Sequence, residues 1–152
     1  MANDILHELF HKLFGAINGL DLMSQICAQF VTLIKIDKLE GKTREEMKTN
    51  FENLSFYQNR ALKDLESLVN ALTETNAMDI GSVLNNSITT KLIKVGNIIS
   101  NSEILYGKVL NADTKENLVR FARELEKIEP ICQSMAEIMT SSKQELVKQG
   151  EY

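Results

Sequence analysis

Residues 3–36 of the chain read NDILHELFHKLFGAINGLDLMSQICAQFVTLIKI, and the spacing of their apolar side chains decides the fold class. Leu6, Leu9, Phe10, Leu13, Ile17, Leu20, Ile26, Cys27, Phe30 and Ile34 recur mostly three or four positions apart. That period draws one apolar stripe along an α-helix, whereas a half-buried strand would alternate every second residue. Asn3 suits the N-cap, because its short side chain can accept from the first free backbone N–H groups. The polar run DKLEGK at 37–42, with its glycine, predicts the stop.

Three more segments carry the same period. In the second, 43–74, Thr43 and Glu46 form a capping box, and Met47, Phe51, Leu54, Tyr57, Leu62, Leu65, Leu68 and Leu72 make the stripe. The third, 79–110, is rich in Ile, Val, Ser and Asn, which are weaker helix formers. Leu84, Ile88, Leu92, Val95 and Ile99 still keep helical spacing, and Gly96 marks an expected local irregularity. The fourth, 113–147, opens on a second capping box, Asp113 with Glu116. Its stripe is Leu118, Phe121, Leu125, Ile128, Cys132, Met135 and Met139. Pro130 lies inside it and removes one backbone hydrogen bond, which predicts a kink rather than a stop. The tail after Ser141 is expected to fray.

Helices of about 30 residues are roughly 45 Å long, and short connections between such rods favour antiparallel neighbours. The expected architecture is therefore an all-α antiparallel four-helix bundle forming one domain over 1–152. The two halves repeat a helix, a turn, a capping box and a helix, with Lys12-Leu13 and Lys91-Leu92 in comparable places. The bundle thus also reads as two concatenated helical hairpins.

Composition agrees with this class. The chain has 152 residues, 43% apolar and 25% charged, long enough to bury a sizeable core without staples. One proline and seven glycines leave few turn formers for a strand-rich fold. A net charge of −4 argues against nucleic acid, which needs a basic field, and against an anionic membrane surface. No apolar run approaches the ~18 residues of a transmembrane helix, and no basic segment followed by an apolar core suggests a secretory signal. Cys27 and Cys132 sit in apolar helical patterns and read as buried reduced thiols, which points to the cytoplasm. The alternative is a disulfide joining the first and last helices.

The polar face of the first helix holds the chemistry. At ~100° per residue, with His7 at zero, the apolar residues centre near ~240°. His11 falls at ~40°, Asn18 at ~20°, Asp4 at ~60° and Gly15 at ~80°, with Phe14 beside them at ~340°. A glycine inside a helix costs about 0.5–1 kcal/mol relative to alanine. Gly15 therefore either clears space one turn past His11 or relieves crowding against a neighbouring helix. Neutral imidazole is a good nucleophile near neutral pH, and phosphoryl transfer needs mainly positioning and charge neutralisation. An exposed histidine on a rigid helix meets that need when a partner brings the metal and the acceptor carboxylate.

The stretch Leu9-Phe10-His11-Lys12-Leu13-Phe14-Gly15-Ala16 resembles the histidine-phosphotransfer (HPt) motif, His-x-Leu-Lys-Gly-Ser/Ala. His11, Leu13, Gly15 and Ala16 match; Leu20 fits a later apolar position; Phe14 stands where the family has a lysine. The same stretch is similar to the histidine box of dimerisation and histidine-phosphotransfer (DHp) hairpins. His7-Glu8-Leu9 resembles its His-Glu-Leu start and Gly15-Ala16-Ile17-Asn18-Gly19 its following turns, with one extra residue of spacing and no proline. The first resemblance implies His11 as phosphoacceptor, the second His7. Both imply relay to or from a response-regulator receiver domain or a sensor kinase. Gly15, Phe14 and Asn18 would form the docking surface and Lys12 would assist with charge. No cofactor or metal is implied. No ATP-binding segment lies in these residues, so a phosphotransferase is expected rather than a complete kinase.

Other readings compete. His7-Glu8-Leu9-Phe10-His11 is a literal H-E-x-x-H string, which on a helix can present two histidines to zinc. No third histidine follows, and Lys12 directly after it is atypical. Glu8 with His11 also makes one E-x-x-H pair, but a di-iron bundle needs a second, and no histidine lies beyond His11. The plainest alternative is a non-enzymatic helical adaptor or dimerisation module in signalling, with ordinary surface histidines and a second copy of the chain as a candidate partner.

Overall fold

The computed structural model describes the backbone of residues 2–33, 41–112 and 115–150. Within them lie five helical segments: α1 (Ala2–Leu33), α2 (Gly41–Glu74), α3 (Met78–Ala112), α4 (Lys115–Glu126) and α5 (Ile128–Lys148). The first three are rods of 32, 34 and 35 residues, each about 50 Å long. No strand occurs among the described residues. The α1–α2 connection beyond Leu33, including Ile34, lies outside the described residues. So does the proposed cap at Asp113.

Packing runs in a ring. α1 packs on α2, α2 on α3, and α3 on both α4 and α5, which return to α1. Neighbouring rods are antiparallel. Between α2 and α3, Phe51 meets Tyr106 near one end, and Gln58 Nε2 donates to the Leu92 carbonyl nearer the middle at 3.2 Å. At the other end the rods join in a three-residue turn. Between α3 and α4, Tyr106 meets Phe121, and between α5 and α1, Lys143 meets Phe10 and Phe14. The all-α four-rod bundle expected from the apolar period is thus the observed fold.

The predicted stripes face the centre. Leu6, Phe10, Leu13, Ile17 and Leu20 of α1 are buried together with Leu54, Leu65 and Leu68 of α2, Leu84, Ile88 and Leu92 of α3, and Phe121, Leu125, Met135 and Met139 of the last rod. Phe51, Tyr106 and Phe121 form an aromatic group with ring centroids 5.6–5.9 Å apart, the separation favoured by tilted and edge-on rings. Two buried serines are satisfied within their own helices: Ser24 Oγ donates to the Asp21 carbonyl at 2.7 Å and Ser102 Oγ to that of Ile98 at 2.8 Å.

The α2–α3 turn shows how sequence sets topology. Asn76 adopts a left-handed φ of 63°. Ala77 N–H then reaches the Leu72 carbonyl at 2.8 Å and Asn76 N–H the Thr73 carbonyl at 3.4 Å. This pair is a Schellman close, and Ala77 packs buried beside Leu72 as that motif requires.

Five expectations need correction. α1 begins at Ala2, so Asn3 lies within its first turn. α2 begins at Gly41, two residues before the proposed Thr43 cap. α3 runs unbroken through Gly96, where a Cβ would stand 3.0 Å from Gln58 Nε2. The glycine makes room for an interhelical hydrogen bond rather than breaking the rod. The last rod does more than kink. Helix stops at Glu126 and restarts at Ile128, with Lys127 in a turn. Pro130 has no N–H for the Glu126 carbonyl and its ring crowds that group; Lys127 N–H bonds back to Glu124 at 3.3 Å. Nor does the tail fray after Ser141: helix continues to Lys148, because Ser142 and Leu146 are buried.

Candidate functional site

α1 turns its inner stripe to the bundle and leaves its opposite side uncovered. His7, His11, Gly15 and Asn18 are all exposed, as is Asp4. The two histidines are one turn apart, about 6 Å along the axis. A Cβ built on Gly15 would meet nothing within 4 Å. Crowding by a neighbouring helix is therefore not what this glycine answers.

Gly19, one turn further, is the glycine under pressure: a Cβ there would lie 2.5 Å from Tyr57 Cε1. It lets α1 and α2 approach closely. The sequence alone leaves crowding against a neighbouring helix open for Gly15, and packing places it at Gly19 instead.

Phe14 is half-buried and packs on the core edge, while Phe10 is fully buried. Lys143 crosses from α5 and places its Nζ 6.0 Å from the Phe10 ring centroid and 5.8 Å from that of Phe14. Both lie within the range of a cation–π contact. Lys12 is exposed and pairs with Glu8 Oε1 at 3.3 Å across one turn. Such a surface pair contributes only a few tenths of a kcal/mol, yet it biases Lys12 toward the edge of the helix away from Phe14.

Two residues extend the face beyond those picked out in the sequence. Leu22 is 60% exposed and Ile26 39% exposed. Ile26 was expected in the buried stripe. Its wheel position near ~100° lies beside Gly15 rather than near the core at ~240°. With His11, Gly15, Asn18 and Leu22 it forms one continuous outer strip, whose signal was present in the same wheel. Lys143 gave no such signal, because no local spacing links it to α1.

The cysteines stand apart from this surface. Cys27 and Cys132 are free thiols buried in the core. Burial pushes each up to about 12, and for Cys132 the charges of Asp21 and Glu129 add to the effect. Thiolate nucleophiles are thereby suppressed. Among the described residues no group of three or more His, Cys, Asp or Glu side chains is arranged to hold a metal ion. No described helix is long and apolar enough to cross a membrane. No family model, curated protein or solved structure matches the chain.

Proposed function

We propose that the chain is a histidine phosphotransfer bundle. His11 is the leading acceptor and His7 the second, exchanging a phosphoryl group with a response-regulator receiver domain or receiving one from a sensor kinase. The observation that carries this reading is the outer face of α1. It presents both imidazoles in the open, beside a glycine for which packing supplies no reason. Gly15, Asn18, Phe14 and Lys12 surround the acceptor and would meet the partner.

The chemistry asks little of the bundle. An imidazole nitrogen attacks the phosphorus of an aspartyl phosphate on the partner. The N–P bond forms, the acyl O–P bond breaks, the carboxylate leaves with the electron pair, and the other ring proton passes to solvent. A rigid helix supplies position, and the partner supplies the metal and the carboxylate. Free buried thiols are in keeping with a cytoplasmic setting for such a relay.

The test uses phosphorylated receiver domain or cognate kinase as donor and looks for an acid-labile, base-stable adduct. The adduct is expected on the wild-type chain, reduced most by His11→Gln and gone in the His7→Gln/His11→Gln pair. A chain that takes no label, or keeps it in the double variant, ends the relay reading.

A second reading, a non-enzymatic helical adaptor or dimerising module, draws on a different place. Phe56 is exposed beside Phe51 and Tyr106 in an α2–α3 groove of about 760 Å³. That reading gains ground if labelling fails.

A further inference from the structure

We infer that the groove between the start of α3 and the end of α5 is a binding site for a linear aliphatic polyamine. None of the residues lining it belongs to α1, so the inference stands apart from the phosphotransfer reading.

The groove has a volume of about 640 Å³, within the usual range of small-ligand sites. α3 and the last rod run antiparallel from the Tyr106–Phe121 contact, which brings the start of α3 beside the end of α5. Ile80, Val83 and Ile138 give the groove an aliphatic floor, and Val83 is exposed there although apolar. The walls carry Asp79, Glu137 and Glu145, all exposed. No lysine, arginine or histidine is among the described residues that line it. No described residue forms an ion pair with any of the three carboxylates. Glu145 Oε1 accepts a long bond from Gln149 Nε2 at 3.5 Å, which brings no charge. Three uncompensated negative charges over an aliphatic floor complement a cation with an apolar body.

The spacing of the charges selects the kind of cation. Glu137, Ser141 and Glu145 follow one another at four-residue intervals and form one row along α5. The two carboxylates of that row are about 12 Å apart along the axis. Asp79 joins the Glu145 end from α3. A divalent metal ion needs its ligands to converge, and among the described residues no three His, Cys, Asp or Glu side chains do so. A chain of protonated amines needs them spread. In a triamine with three- and four-carbon spacers the end nitrogens are nine bonds apart, about 11 Å when extended. Its methylenes then lie over the floor.

The serines supply an independent observation. Three serines are buried among the described residues, and Ser24 and Ser102 each bond a carbonyl of their own helix. Ser142 is 7% exposed and lines the groove, yet its hydroxyl bonds to no described residue. A buried hydroxyl without a partner is costly. An ammonium in the groove ends that cost by donating to Ser142 Oγ.

Calorimetric titration of the full chain with spermidine, and then with the shorter diamine putrescine, tests the site. Spermidine should bind one to one and about fivefold tighter than putrescine, which cannot reach both ends of the row. Glu137→Gln with Glu145→Gln should weaken spermidine about tenfold. Glu45→Gln with Glu66→Gln removes the same charge from exposed positions of α2 and should change the affinity less than about twofold. Equal weakening by the two pairs would mean that the polyamine responds to net charge alone, and overturns the site. So does the absence of any binding. On the unaltered, isotope-labelled chain, spermidine should move the backbone resonances of 79–87 and 137–145 together, with Ser142 among them. Shifts scattered over the acidic surface, or a Ser142 that does not move, overturn it as well. Neither result touches the labelling of His11 and His7, so the two proposals fail separately.

Discussion

Gly15 and Gly19 sit one helical turn apart on α1, and their surroundings are opposite. At Gly19 an added Cβ would run into the Tyr57 ring; at Gly15 it would meet open space. One glycine is explained by the fold, the other is not. Both carry the same backbone-entropy cost in a helix, about 0.5–1 kcal/mol. At Gly19 closer packing of α1 on α2 offsets that cost. At Gly15 a Cβ would meet nothing within 4 Å, and a glycine inside a helix without a packing return is a pointer toward a partner. The same division runs along all of α1: Leu13, Ile17 and Leu20 are sealed in the core, while Leu22 and Ile26 stay in the open.

The largest effect is expected on the packed side. Gly19→Leu should destabilise the bundle by about 2–3 kcal/mol, because an overpacked helix contact forces side chains and backbone apart. Denaturant titration measures it. In a Tyr57→Ala background the same change should cost much less, since the clashing ring is gone and the two sites are coupled. Equal cost in both backgrounds would mean that α1 and α2 do not meet through this pair.

The opposite sign is expected one turn away. Gly15→Ala should stabilise the chain by about 0.5–1 kcal/mol, the gain in helix propensity with nothing to clash. Thermal melting reads it directly. A loss of stability would show that Gly15 is packed after all, and the contrast with Gly19 would collapse.

These contrasts also mark what sequence alone makes legible. The apolar period located all four rods and most of their large buried residues, because burial on a helix repeats every turn, though it passed over Ile80, Ile98 and Leu146. It located the histidine face for the same reason. Local chemistry was less decisive where tertiary packing competed. Ser142 and Leu146 hold helix past Ser141, and a hydrogen bond from Gln58 gives Gly96 a use that leaves α3 unbroken. Pro130 was a clear local signal read too mildly, since its missing donor and its ring act on Glu126, four residues earlier. Lys143 and the Gly19–Tyr57 contact were beyond reach, as both are meetings of residues far apart in the chain.

The smallest effect on stability is expected at the far end of the outer strip. Leu22→Gln with Ile26→Gln should change stability by no more than about 0.5 kcal/mol, the usual size for surface positions. Labelling by phosphoramidate should be unchanged as well, because neither residue touches an imidazole. Leu22 lies 11 residues past His11, about 16 Å along the axis. Transfer from a phosphorylated receiver domain should nonetheless slow about fivefold or more, because two exposed aliphatic side chains on the same outer strip as the acceptor are lost from the docking surface. Stopped-time transfer assays, run beside the small-donor labelling, separate the two steps. Slower receiver transfer with intact small-donor labelling identifies Leu22 and Ile26 as contact residues. Equal rates in both assays would confine docking to the histidine end of α1 and leave the exposure of these two residues without a role in the relay.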